Sequence, residues 1–355
     1  MKIEQNISLA EYTTLGLGGQ ARYFCVAKST TDIKEALAYA RENNLNIHVL
    51  GGGSNTIFPD KGLECLVIKI ELMGVSFTDV DEQVLVTAGA GESWDDLVKA
   101  CVEKGLAGIE CLSGIPGLVG ATPVQNVGAY GQEVSQTIAV VKAIAVATGE
   151  EVKFINTNCE FNYRTSRFKT RDLGKYIITE VNFGLNKNGE PSIKYPELKN
   201  AVAAKLGDKS LGTGVESLQL VRETVLELRA KKSMVIKAGD PNARSVGSFF
   251  TNPIVSEADW EILKQRWQDD KGAGAIPIYP ADGKMKISAA WLVEHAGWEK
   301  GYAENGVGIS SNHALALVNT NGSTEKLLAL AAKIEKSVFE KFGIRLEREP
   351  IVVGE

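Results

Sequence analysis

Histidine is nearly missing from this chain: His48, His295 and His313 are the only three in 355 residues. The five cysteines, Cys25, Cys65, Cys101, Cys111 and Cys159, include no Cys-x-x-Cys pair. No His/Cys/carboxylate group has metal-ligand spacing, so no metal is expected. The cysteine count is odd, and most sit in apolar runs such as Tyr23-Phe24-Cys25-Val26, which reads as buried reduced thiols. Gly-x-Ser-x-Gly is absent, which disfavours a Ser-His-Asp hydrolase. No apolar run approaches the roughly 20 residues that span a bilayer. The opening Met-Lys-Ile-Glu-Gln-Asn lacks the apolar core of a signal peptide, so a cytoplasmic protein is expected. An excess of positive charge is lacking too. Lys and Arg number 39 against 44 Asp and Glu, a net charge of −5, so no global basic field recruits nucleic acid or an anionic membrane.

What is present is an ordinary globular composition, 44% hydrophobic and 23% charged. The length suggests two or three domains. Ala21–Ala27, Asn46–Leu50 and Leu66–Ile70 read as strands. Between the first two lies a helix capped by Ser29 or Thr30, with Ile33, Ala36, Leu37 and Ala40 as its apolar stripe. A second unit follows. It has strands at Val84–Ala88, Ile138–Ala147 and Tyr176–Phe183, a helix with Trp94, Leu97, Val98, Cys101 and Val102 on one face, and a helix from Glu216 to Lys231. From about residue 233 a third unit is expected, with helices at Glu257–Trp267, Ile287–Ala296 and Thr324–Phe342 and a strand at Ala314–Asn319. The tail Ile344–Val353 is strand-like and could return to an earlier domain. Repeats and low-complexity segments are absent.

Residues 113–131 stand out: nineteen residues with five Gly, two Pro and no charge. Solvated loops normally carry charge. This stretch reads as backbone folded against something buried, either a flat or phosphate-bearing ligand or simply the core. Gly51-Gly52-Gly53-Ser54-Asn55 follows a strand and can form an anion nest for a diphosphate, or a plain tight turn. It lacks the Lys of a P-loop. Gly16-Leu17-Gly18-Gly19 mimics a dinucleotide fingerprint but precedes its strand, so that reading is rejected. Arg164, after Tyr163 in an aromatic setting, can clamp a carboxylate or stack structurally. In Gly247-Ser248-Phe249-Phe250-Thr251-Asn252-Pro253 the serine hydroxyl sits beside two phenylalanines expected to bury. It could satisfy a backbone group or deliver a proton. Glu347 and Glu349 alternate along the tail and would share a strand face, which is commonly just a solvent-facing pair.

Taken in order, Gly51–Asn55, Ile115–Gly131 with its Gln125-Asn126-Val127-Gly128-Ala129-Tyr130-Gly131 core, Tyr163-Arg164, Gly247–Pro253 and the Glu349 tail resemble the UDP-N-acetylenolpyruvoylglucosamine reductase family. The resemblance runs from about Thr14 to Gly354. Each piece is weak alone; the joint pattern is specific. It implies an α+β, three-domain flavoprotein. Two N-terminal α/β FAD-binding subdomains of the vanillyl-alcohol-oxidase type, 1–70 and 71–230, would precede an α+β substrate-binding domain, 231–343. The tail 344–355 is expected to rejoin the second subdomain.

The resemblance also implies non-covalent FAD, NADPH as hydride donor and a UDP-sugar substrate, in a cytoplasmic monomer serving peptidoglycan synthesis. NADPH would reduce the flavin and leave, and flavin N5 would then pass hydride to the methylene of the enolpyruvyl substrate. Carried over residue by residue, the cofactor would be held by Gly51, Gly52, Gly53, Ser54 and Asn55 and by Ile115, Pro116, Gly117, Gly120, Ala121, Pro123, Gln125, Asn126, Gly128, Ala129 and Tyr130. Arg164 and Glu349 would hold and polarise the carboxylate, and Ser248 would protonate the adjoining carbon. A serine hydroxyl is a weak acid, so the intermediate must be a strong base or a proton relay must exist. Tyr163, Tyr195, Lys232, Asn252 and His313 would bind substrate, with Tyr195 resembling the mobile Tyr loop of one branch of the family. Lys300 matches weakly, and Lys231 neighbours Lys232. Relatives often end Leu-Glu-Pro-Glu-Val, whereas this chain reads Leu346-Glu347-Arg348-Glu349-Pro350. Counting from Leu-Glu selects Glu349; a shift would select Glu347. The competing readings are another FAD-dependent sugar or alcohol oxidoreductase on the same scaffold, and a non-catalytic nucleotide-sugar binder.

Overall fold

A computed structural model describes residues 1–270, 274–281 and 284–354. Two compact units emerge. The first comprises 1–7, 21–52 and 64–235; the second comprises 8–20, 53–63 and 236–355.

The first unit holds two larger sheets, a two-stranded hairpin and four α-helices. Strands Glu4–Ser8, Gln20–Ala27, Leu63–Ile70 and Ile47–Leu50 lie in that order, the last two parallel. Helix α1, Thr30–Glu42, buries the expected stripe Ile33, Ala36, Leu37 and Ala40, and Ser29 Oγ caps it through the Asp32 amide. The larger sheet is antiparallel, with Glu151–Ile155, Ile138–Ala145, Tyr176–Lys187, Gln83–Gly89 and Val75–Val80 in order. Helix α2, Trp94–Glu103, turns Trp94, Leu97, Val98, Cys101 and Val102 into the core shared by both sheets. Helices α3, Pro196–Leu206, and α4, Gly214–Lys231, pack around Leu198, Val202, Val221 and Val225. All five cysteines are free and buried. Burial pushes the Cys25, Cys101 and Cys159 thiols up to about 12, which makes them inert.

The second unit has a four-stranded sheet, Ser245–Ser248, Ala316–Asn319, Val307–Ile309 and Ala303–Glu304 in order. A three-stranded sheet, Ile254–Val255, Lys284–Ile287 and Ile278–Ala281, joins helices α5, Glu257–Asp269, α6, Ala289–His295, and α7, Thr324–Phe342. Helix α6 begins two residues later than its apolar pattern suggests, because Ser288 caps it and Ile287 ends a strand. Helix α7 stops at Gly343 in the left-handed region, as expected. Both carboxylate oxygens of Asp60 accept its first amides, from Thr324 and Glu325. The strand of the tail pairs within the second unit. Ile351–Val352 runs parallel to Thr56–Ile57 inside the second unit, because 53–63 already packs there. Among the described residues, no helix is long and apolar enough to cross a membrane, and no cluster of metal-ligating side chains occurs.

Candidate active site

The uncharged segment 113–131 is irregular backbone held from behind. Its only helix is the single turn Val119–Ala121, and its only strand is Gly128–Ala129, paired with Gln132–Glu133 just beyond it. Tyr130 and Gly131 between them both have positive φ, 50° and 85°, as a tight two-residue hairpin turn requires. Asn126, also at positive φ (47°), is 1% exposed. Its Nδ2 donates to Glu133 Oε2 at 2.7 Å and to the Asn162 carbonyl at 3.0 Å, and its Oδ1 accepts the Ser135 amide. That side chain therefore works inside the loop, which leaves only its main chain for a ligand.

Glycine is a steric necessity here. A Cβ on Gly52 would lie 2.9 Å from the Cα of Gly117, and one on Gly120 would lie 2.6 Å from the Cβ of Ala90. Gly117 itself has φ 115°. The loop after strand Ile47–Leu50 and the segment 115–121 thus meet backbone to backbone at Gly52 and Gly117. The two segments pack closely because glycine permits it, and uncharged, glycine-rich backbone of this kind is compatible with a flat ring and a diphosphate, so these residues fit FAD. The unit boundary falls between Gly52 and Gly53, and Ser54 and Asn55 belong to the second unit.

Arg164 is fastened to this same segment. Asn162 and Thr165 form an isolated bridge around it, forcing φ to 53° at Arg164. The Asn126 bond on one side and Ser166 Oγ donating to the Val124 carbonyl at 2.6 Å on the other pin the turn. Arg164 Nη1 would be 3.0 Å from a Cβ on Gly128, so the guanidinium packs against this glycine together with the Gln132 carbonyl and the Glu133 side chain, both at 2.8 Å from that position. It also stands 5.5 Å from the Tyr163 ring centroid. A non-glycine residue in the left-handed region costs free energy, of order 1–3 kcal/mol, and such residues gather at functional sites.

Tyr195 is the N-cap of α3, and its ring meets Tyr130 edge-on at 5.8 Å. Lys232, the C-cap of α4, places Nζ 2.7 Å from Glu197 Oε2, while Lys231 is exposed. A second cation here was not among the expected site residues. Arg229 is 8% exposed; burial pulls its pKa down, Tyr130 and Asp95 favour its charge, and Arg164 opposes it. Its Nη2 donates to the Met234 carbonyl at 3.0 Å. Burial pushes Tyr130 up to about 12. Glu110 was missed as well. It is fully buried, accepting from Gln132 Nε2 and from the Gly108 and Ser192 amides. Neither residue lies in a turn-rich or aromatic motif, so their burial carries no local sequence signal.

The second unit carries Ser248, Asn252, His313 and Glu349, whereas Arg164 belongs to the first. Ser248 ends a strand whose pairing slips between Ser245 and Ser248, with Gly247 at φ 73°. Phe249 and Phe250 bury completely behind it, ring to ring at 5.2 Å. Ser248 Oγ lies 3.1 Å from His313 Nε2. The Glu349 amide donates to the Phe249 carbonyl at 2.9 Å, and Asn55 Nδ2 approaches the Glu349 carbonyl. Glu347 is exposed and Glu349 half-buried. Asn252 Oδ1 accepts the Ala289 amide at the start of α6. Lys300, the weak match, is an exposed partner of Glu294 at 3.4 Å.

Residues 21–154 match the family model for an FAD binding domain. Residues 240–353 match the model for the C-terminal domain of UDP-N-acetylenolpyruvoylglucosamine reductase. The reductase of that name from Thermobifida fusca is 44% identical over 99% of this chain and 98% of its own length. The one from Streptomyces avermitilis is 43% identical over 98% and 93%. The crystal structure of the Thermus caldophilus reductase shares the fold, with a TM-score of 0.66 at 22% identity over 99% of each chain. The chain belongs to the UDP-N-acetylenolpyruvoylglucosamine reductase family.

Proposed function

We propose that this protein catalyses the NADPH-dependent reduction of UDP-N-acetylglucosamine enolpyruvate to UDP-N-acetylmuramate, a step of peptidoglycan synthesis, as a cytoplasmic monomer. FAD, held by the glycine loop at Gly51 and Gly52 and by the backbone of 115–130, would supply the hydride chemistry when bound. The observation that carries the reading is the setting of Ser248. A half-exposed hydroxyl stands on a bulged strand, backed by buried Phe249 and Phe250, with Glu349 tied to the next residue's carbonyl.

Reduction of the enolpyruvyl double bond puts negative charge on the carbon beside the carboxylate. Stabilising that charge is the chain's main task. Arg164 offers a planar fork to the carboxylate, preset by a turn that admits few conformations. Glu349 rather than Glu347 is the better partner, being half-buried and bonded beside Ser248. Ser248 Oγ then gives its proton to the charged carbon. Tyr163, Tyr195, Lys232, Asn252 and His313 bind the UDP-sugar, and the edge contact of Tyr195 on Tyr130 fits a Tyr-loop residue that swings onto its ligand. Three functional divisions accompany this reading: FAD subdomains 1–70 and 71–230 of the vanillyl-alcohol-oxidase type, and a substrate domain 231–343.

The test is a two-step absorbance trace. The flavin band of reconstituted protein should bleach with NADPH and recover when the enolpyruvyl substrate is added without oxygen. A protein that stays colourless after FAD reconstitution, or recovers only with oxygen, overturns the proposal.

A further inference from the structure

A serine hydroxyl is a poor acid, and protonating a carbon would leave it as an alkoxide. The structure holds a group that solves both problems. Strand Ala316–Asn319 pairs Ala316 against Ser248, and the turn before it folds back through the Ala316 amide onto the His313 carbonyl. Phe249 closes the other side through its amide on the Leu315 carbonyl at 2.7 Å. This double fastening sets His313 Nε2 3.1 Å from Ser248 Oγ, and both residues are half-buried within one unit. We propose that His313 is the proton relay of Ser248, a positioning residue that sets which way the serine proton points and then replaces it. The proposal rests on Ser248 being the acid.

The geometry makes the pair a pH-dependent switch. With a charged imidazole, Nε2–H donates to Oγ, so the serine O–H can point at the substrate carbon. With a neutral imidazole protonated at Nδ1, Nε2 is an acceptor and draws the serine proton away from substrate. In the forward step a C–H bond forms as the Oγ–H bond breaks. The Nε2 proton moves to Oγ, leaving neutral imidazole, and solvent returns one proton to the ring. The hydride supplies the electron pair and solvent the proton, so the double bond is reduced with atoms and charge in balance. The titratable and charged groups on the surrounding segments are few. Asp240 connects through Asn242 to Ser311, two residues from His313. Arg244 precedes the serine strand. Glu347, Arg348 and Glu349 lie on the tail, where Arg348 is paired with Glu335. The turn 310–315 itself carries no charge other than His313.

The experiment uses holoenzyme reduced with NADPH, then mixed with the enolpyruvyl substrate across pH 6 to 9, the span about the ordinary imidazole pKa of ~6.5. The wild-type rate of flavin recovery should fall about tenfold per pH unit above the His313 pKa, because the acid form is lost. His313→Gln should abolish that limb and run about 10²-fold slower at low pH. His313→Ala should regain the limb when imidazole is added. A second readout needs no turnover: the three histidine rings titrated by NMR. Ser248→Ala should move the His313 pKa and leave those of His48 and His295 in place. If His313→Gln raises only the substrate KM and keeps the wild-type pH profile, or if Ser248→Ala leaves the His313 titration unmoved, the relay is refuted. If Ser248→Ala itself leaves flavin recovery intact, the acid assignment fails instead, and the two failures are distinct.

Discussion

Segment 113–131 in the first unit and the Ser248–His313 pair in the second present opposite materials. The first offers main chain. Its glycines are fixed by collisions a Cβ would make, and Asn126, Tyr130 and the attached Arg164 are held at positive φ. The second offers side chains on a slipped strand and a turn, where one hydroxyl and one imidazole meet next to a buried pair of phenylalanines. A cofactor that never leaves can be gripped by amides, which need no rotamer entropy to order. A proton that must move in every cycle needs groups whose charge state can change.

That contrast breaks most visibly at Ser248. Ser248→Ala should slow flavin recovery by about 10²–10⁴-fold, the usual worth of a positioned acid, while FAD binding and reduction by NADPH stay normal. Anaerobic stopped-flow separates the two steps, and equal losses in both would collapse the distinction between grip and chemistry. Glu349→Gln should fall in the same class and Glu347→Gln should be nearly silent, because Glu347 is exposed. The next effect belongs to the cradle. Gly52→Ala or Gly120→Ala forces backbone or core atoms apart at an overpacking cost of about 1–3 kcal/mol, or about 5–150-fold in FAD affinity if the strain is expressed there. Fluorescence titration of apoprotein with FAD measures it. The residual holoenzyme should still recycle at the normal rate once saturated.

The same contrast explains what the sequence discloses. Backbone sites announce themselves through composition: five glycines and no charge in nineteen residues set 113–131 apart from every other loop of the chain. The helix stripes of α1, α2 and α7 are equally plain, because apolar spacing reports burial directly. Helix α3 is not. Only Leu198 and Val202 bury, too few to make a stripe, although Pro196 at its first turn is a usable start signal. The Ser248–His313 contact spans 65 residues and depends on a strand slip that no local pattern encodes. Buried Arg229 and Glu110 are hidden for a similar reason: Asp95 and Tyr130 beside Arg229, and Gln132 and Ser192 beside Glu110, come from segments distant in sequence.

Smaller effects test whether charges in the first unit act on ligand or on fold. Lys232→Ala should raise the substrate KM several-fold, since a half-buried ammonium at a helix end is lost, roughly 1 kcal/mol of interaction. Lys231→Ala, an exposed neighbour, should leave it alone. If both behave alike, the helix end matters only through net charge.

The smallest expected effect is structural and depends on pH. Asp95 feels burial, which alone would raise its pKa. The bidentate bond from Arg222, at 2.6 and 2.8 Å, and the Gly114 amide at 2.6 Å outweigh it and hold the carboxyl below its usual range. A depressed folded-state pKa contributes stability that is complete above the unfolded value of about 3.9 and disappears as pH falls through the folded value. Melting of the wild type should therefore steepen its decline below about pH 4, and Asp95→Asn should remove that part of the slope while costing stability at neutral pH. Because the Gly114 amide sits at the mouth of the uncharged segment, the same variant should loosen FAD slightly. A variant with the wild-type acid slope would show that Asp95 is not the carboxylate anchoring the cradle to the fold.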